Sequence, residues 1–159
     1  YLARYAGLRI HECFRIDTAM AERALRENAL TVKGKGGKVR IVPIEDERIL
    51  MMLKRVLAQT ERGHKLLVPD GMPTDRSINA LELFIYRHRN EISDEGSDRR
   101  LTFHGLQHTY AAEKYTRLTE GGMSAIDAHY AVSRLLGHER ADVTDIYLAS
   151  VRKRGRDGE

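Results

Sequence analysis

The chain's 159 residues suffice for one well-cored domain and are too few for two comfortable ones. With 42% hydrophobic and 31% charged residues it falls in the ordinary globular range, and no apolar run approaches the roughly 18 residues of a membrane span, which predicts no membrane partner. The lone cysteine, Cys13, excludes an internal disulfide and fits a cytoplasmic address, while a net charge of +4 suits polyanion binders and many other proteins alike.

The sequence opens on Tyr-Leu-Ala-Arg without a methionine, so a longer protein with upstream domains is expected. Gly7 can end a short first helix, and Ile10, Cys13 and Phe14 then fall at helical spacing over residues 10–15, which puts Arg9 at a helix entrance. Residues 29–32 and 39–43 are β-leaning runs joined by Lys33, Gly34, Lys35, Gly36, Gly37 and Lys38, whose glycines permit a tight, lysine-rich hairpin. Over residues 45–60, Ile49, Leu50, Leu53, Val56 and Leu57 make the pattern of an amphipathic scaffold helix. Residues 61–74 hold Gly63, Pro69, Gly71 and Pro73 and read as a connector, after which Thr74 or Asp75 caps a helix through about residue 92. A polar loop over residues 93–100 follows.

Thr102 precedes a helix expected from about residue 104 to 118, broken by Gly121 and Gly122. Ser124 and Asp127 form a capping-box-like pair opening a helix that ends near Gly137, and Asp142 or Thr144 starts a last short helix holding Ile146, Tyr147 and Leu148. The expected fold is α+β, mainly α-helical with a small antiparallel β-sheet. Positive charge gathers at Lys33, Lys35, Lys38 and Arg40 and again at Arg152, Lys153, Arg154 and Arg156, as contact surfaces or as plain solvated runs.

Residues 103–110, Phe-His-Gly-Leu-Gln-His-Thr-Tyr, place His104 and His108 one helical turn apart, so metal binding is the first chemistry to test. It fails on the second residue of the stretch's motif: a zinc protease of that spacing needs a glutamate beside the first histidine, and Gly105 stands there. A hydrogen-bonded structural pair remains an alternative. The other reading is phosphoryl transfer, because four separated segments supply suitable groups. Arg9 lies in Gly-Leu-Arg-Ile-His-Glu and Lys35 in Val-Lys-Gly-Lys-Gly-Gly-Lys-Val-Arg-Ile-Val-Pro. His104 lies in the stretch just quoted, and His138 and Tyr147 in Leu-Leu-Gly-His-Glu-Arg-Ala-Asp-Val-Thr-Asp-Ile-Tyr.

In this order and with these neighbours, the segments resemble the catalytic domain of tyrosine recombinases, the phage-integrase family, over nearly the whole chain. The resemblance implies a C-terminal catalytic domain at residues 1–159, with the N-terminal core-binding domain absent from this chain. It implies a site-specific recombinase that cuts and rejoins double-stranded DNA through a covalent 3′-phosphotyrosyl intermediate, with no cofactor, no metal and no small-molecule substrate. A homotetramer on DNA and a nucleoid-associated place in a bacterial or phage-infected cytoplasm are also implied. The stretch after His104 looks like that of integrases from mobile elements.

By the same resemblance Tyr147 is the nucleophile, Arg9 a fork on the phosphate's non-bridging oxygens, and His104 the acceptor or shuttle of the tyrosine proton. Lys35 is the general acid toward the leaving 5′ oxygen, His138 a further donor to the phosphate, and Glu12 an orienting group. Each has a plainer reading: a core tyrosine, a local Arg9–Glu12 pair, an ordinary hairpin lysine replaceable by Lys33 or Lys38, and a helix-terminating histidine. His11, His64, His88 and His129 are expected at the surface or in packing.

One position departs from the family pattern. Gln107 stands where a second arginine clamps the phosphate, and an amide brings neither the charge nor the bidentate fork. A loss on the order of 10² or more in the chemical step is expected. Three accounts stay open: a natural variant, an engineered substitution, or a degenerate copy. A DNA-binding module without turnover is therefore the alternative function, and a topoisomerase-like nicking and resealing activity is a third.

Overall fold

The structure is a computed structural model and describes residues 1–92 and 101–137, with Thr144, Asp145 and Leu148. The expected loop over residues 93–100 lies outside these. Helix α1 (Leu2–Ala6) stops at Gly7, whose φ of 65° is left-handed, and the N–H groups of Gly7 and Leu8 donate back to Ala3 and Leu2. Here glycine is required twice over, because a Cβ at this position would lie 2.5 Å from the ring of Tyr110. Gly7→Ala is accordingly expected to destabilise the protein by about 1–3 kcal/mol, measured by urea denaturation.

Helix α2 (Ile10–Cys13) is a single turn, shorter than the 10–15 span expected from spacing, because Phe14 already closes it as the C-cap. Helix α3 (Thr18–Glu27) was not foreseen. Its inward face carries Ala21 and Ala24 with Met20 and Leu25 beside them, and Asp17 caps it by accepting from the Met20 N–H at 2.8 Å. It ends at Asn28, which takes a left-handed φ of 51° and turns the chain into β1.

Strands β1 (Ala29–Lys33) and β2 (Val39–Pro43) form the expected antiparallel hairpin, with Leu30 opposite Val42 and Val32 opposite Arg40. Leu30, Val32 and Val42 face the core, each contributing about 1.5–3 kcal/mol by burial, while Val39 and Ile41 face out. The connection is a 3₁₀ turn, Lys35–Gly37, rather than a two-residue turn; Gly36 and Gly37 have φ of 72° and 81°.

Helix α4 (Glu47–Leu57) starts two residues later than expected, since Asp46 caps it by accepting from the Arg48 N–H. Helices α5 (Thr74–Ile92), α6 (Phe103–Glu120) and α7 (Ala125–Leu136) follow the sequence closely, with the Ser124 hydroxyl accepting from the Asp127 N–H as foreseen. Thr144, Asp145 and Leu148 are helical, in the segment expected to form the last helix.

The main core gathers Leu8, Phe14, Ile16, Leu30, Val42, Ile49 and Leu53 between the hairpin and helices α1 to α4. A smaller cluster of Ala111, Val132, Leu136 and Leu148 joins α6 to α7 and to the chain end. Between the two cores, α1 packs on α6 and α7 approaches β2, so the first helical segment, the hairpin and α7 meet around Gly7 to Glu12. Among the described residues, no helix is long and apolar enough to cross a membrane.

Candidate active site

The centre of this meeting point is a buried carboxylate. Glu12, 1% exposed, accepts the Arg9 backbone N–H at 2.8 Å and two parallel bonds from the Arg40 guanidinium at 2.6 and 2.8 Å. A buried charge needs such partners, and the bidentate fork is the strong form of the pair. Burial pushes the Glu12 carboxyl upward, but the Arg40 bonds, the Arg9 N–H and the two positive charges outweigh it and hold the group below the usual glutamate value.

Arg40 also donates from Nε to the Leu135 carbonyl at 2.9 Å, and Arg9 from Nη2 to the Gly137 carbonyl at 3.3 Å. Both arginines thereby take up orphan carbonyls at the C-terminus of α7, where cations are favoured. The Arg9 guanidinium keeps 24% exposure and stands 3.5 Å from Glu12, so it is oriented from behind while open to a ligand in front. His11 beside it is held below the ordinary histidine value, first by burial and then, against the opposing pull of Glu12, by Arg15, Arg9 and Arg40.

The second group of residues starts α6. The Thr102 hydroxyl accepts from the Gly105 N–H at 2.9 Å, and a Cβ on Gly105 would come within 3.1 Å of that same hydroxyl. The glycine that spoiled a metal motif thus serves the helix cap. His104 is exposed in this first turn, its ring edge-on to that of His108 with centroids 4.7 Å apart. Gln107 is buried at 2% exposure; its Nε2 donates to the Gly7 carbonyl at 2.7 Å, and its Oε1 lies 3.2 Å from His104 Nδ1. Gly7 precedes Arg9 by two residues, so these two groups are joined through one short stretch of backbone.

Two other nucleophile types among the described residues are silenced by burial. It pushes the Tyr110 phenol up to about 12 with help from Glu45, and the Cys13 thiol up to about 12 with help from Glu12. Neither ionises near neutral pH.

Of the residues expected at the site, Arg9, His104 and Gln107 have described side chains, and all three lie in the connected groups above. Lys35 sits in the 3₁₀ turn of the hairpin, but its side chain is outside the described part, as are His138 and Tyr147. Glu12 orients its neighbours as expected. Arg40 corrects the sequence reading: it was grouped with the hairpin lysines as contact surface, yet its side chain is 13% exposed and bound to Glu12. The available signal was its inward register between the outward Val39 and Ile41. His64 and His88 are half open and pair with Asp70 and Glu91, in keeping with surface roles. His129 Nε2 is buried and has no hydrogen bond among the described residues, lying 3.3 Å from Asp145 in a poorly directed contact. The exposed Glu61, His64 and Asp70 lie close enough together to hold a cation, but in the connector rather than in either group.

Comparison with known proteins follows the same lines as this geometry. The chain is 30% identical over 153 residues to the tyrosine recombinase XerD of Shewanella oneidensis and 28% identical over 148 residues to that of Pseudomonas putida. These alignments take in 93% and 89% of this chain but 47% and 45% of the relatives, so the chain spans under half of their length. Among solved structures, a XerA recombinase superposes with a TM-score of 0.67 at 21% identity, covering 98% of this chain and 55% of that one. The Tn1549 transposon integrase in complex with a circular intermediate DNA gives 0.63 at 19% identity, covering 98% and 56%, so both establish the fold. The model of the phage integrase family matches residues 1–154, and the chain belongs to that family.

Proposed function

We propose that the chain is the catalytic domain of a site-specific DNA recombinase that breaks and rejoins strands through a phosphotyrosyl link to Tyr147. The observation that carries the reading is the Arg9 bond to the Gly137 carbonyl, which ties the first motif to the residue before His138 across 128 positions of sequence. Family membership and the kinship with XerD support it. The Tn1549 integrase, which shares the fold, was solved with DNA, in keeping with duplex DNA as the partner.

The chemistry asks for these groups. A phosphodiester's anionic oxygens repel a nucleophile, and attack gathers further charge on them, so fixed cations and donors lower the barrier. Arg9 presents its fork to the non-bridging oxygens, and His138 donates alongside it. The Tyr147 oxygen attacks phosphorus as His104 takes its proton; the P–O bond to the 5′ oxygen breaks, and Lys35 protonates that oxygen as it leaves. The new phosphotyrosyl bond conserves the energy of the old one, so another strand's 5′ hydroxyl can reverse the attack without a nucleotide. Assembly as a homotetramer and an upstream domain completing a clamp on DNA belong to the same proposal, as does a cytoplasmic, nucleoid-associated setting.

Gln107 supplies hydrogen bonds and no charge. The test uses the intact protein and a library of nicked duplexes with randomised flanks, resolved on a denaturing gel. Wild-type protein is expected to form a covalent adduct slowly, and Gln107→Arg to raise its rate on the order of 10². Binding without adduct in both forms would overturn the recombinase reading and leave a DNA-binding module.

A further inference from the structure

We propose that Gln107 is a positioning residue that fixes the tautomer of His104. The inference rests on the reading of His104 as proton acceptor and adds what makes it one.

A side-chain amide can be turned either way, but here one end is decided by its partner. The Gly7 carbonyl only accepts, so the atom 2.7 Å from it must be the amide NH₂ of Gln107. The other end of the amide, 3.2 Å from His104 Nδ1, is then the carbonyl oxygen, which also only accepts. Nδ1 must therefore carry the proton. In the neutral ring this leaves the lone pair on Nε2, and Nε2 is the nitrogen that takes the nucleophile's proton.

Burial strengthens the constraint. Gln107 is 2% exposed, so water does not compete freely for either end of the amide, and turning it over would set two carbonyl oxygens face to face against Gly7. Gly7 cannot drift away to relieve this, since the ring of Tyr110 and Leu136 close around its α-carbon. The signal thus runs from a rigid left-handed cap, through an amide, to an imidazole. An arginine at position 107 has donors only and cannot hold Nδ1–H. Compared with the arginine of the family pattern, Gln107 lacks the charge and offers an acceptor instead. His108 stands edge-on to the His104 ring, with centroids 4.7 Å apart.

Nitrogen NMR of the intact protein, labelled with ¹⁵N at histidine and free of DNA, tests this at roughly pH 8, where ordinary imidazoles are neutral. His104→Gln identifies the His104 signals by difference. The wild-type ring is expected to show a protonated Nδ1 and an unprotonated Nε2. That pattern depends on the acceptor that Gln107 holds toward Nδ1. Gln107→Met, close in size and without an acceptor, is expected to lose it and give a mixture of tautomers. A wild-type ring protonated at Nε2, or a Gln107→Met ring unchanged from wild type, would overturn the proposal. The spectra need no substrate, so they can fail while the adduct assay succeeds, and the reverse.

Discussion

Tyr147→Phe is expected to leave no detectable covalent adduct on the nicked library while DNA affinity stays as in the wild type. The change removes one hydroxyl and keeps the ring, so packing is conserved and only the attacking atom is lost. An unperturbed phenol has a pKa of about 10, and attack at neutral pH depends on a neighbouring acceptor and a positive site. Among the described residues, the Tyr110 phenol and the Cys13 thiol offer no ready replacement, since both are buried and both pushed up to about 12. Gel analysis and a parallel filter-binding measurement decide the matter. An adduct that persists in the phenylalanine variant would move the nucleophile elsewhere and break the assignment of the last motif.

The largest loss of stability is expected from Arg40→Met, about 3–5 kcal/mol, because removing one partner strands a buried carboxylate. Methionine retains most of the aliphatic stem, so the effect reports the charge and its three polar contacts more than lost volume. For a chain of 159 residues, this corresponds to a fall in Tm on the order of 10 °C, measurable by calorimetry. Arg48→Met breaks a surface pair with Asp46 and serves as the control, with its midpoint near that of the wild type.

The same network sets a pH dependence of known sign. Glu12 has a lowered pKa in the folded protein, so the unfolded chain binds its proton first as the solution is acidified. Its stabilising contribution is complete above the ordinary value of 4.5 and is lost as pH falls through the lower folded value. Denaturation below pH 4.5 should therefore be shallower in Arg40→Met than in the wild type, since the variant has already lost what acid removes.

Most of the architecture was legible because it was written in large apolar side chains and in caps. Ile49, Leu50, Leu53, Val56 and Leu57 drew helix α4, and Ser124 with Asp127 drew the start of α7. Helix α3 was legible but overlooked: Asp17 offers a cap, and Met20, Ala21, Ala24 and Leu25 fall at helical spacing toward the core. Arg40 escaped for another reason: composition counts a guanidinium the same whether it faces water or a buried glutamate, and only strand register distinguishes the two. The role of Gln107 was half visible. Its lack of charge is read directly from the residue type, whereas its hold on His104 depends on a carbonyl a hundred positions earlier in the chain.

Gly137 carries a consequence for anyone who exchanges parts between such proteins. A methyl group there would sit 2.9 Å from the Arg40 guanidinium, on a backbone whose φ of 66° already disfavours it. The arginine occupies the space a side chain would need, so the two positions behave as lock and key across nearly a hundred residues. A hairpin grafted from a donor lacking that arginine would leave a hole under the glycine, and a recipient lacking the glycine would eject the graft; chimaeras should move both or neither.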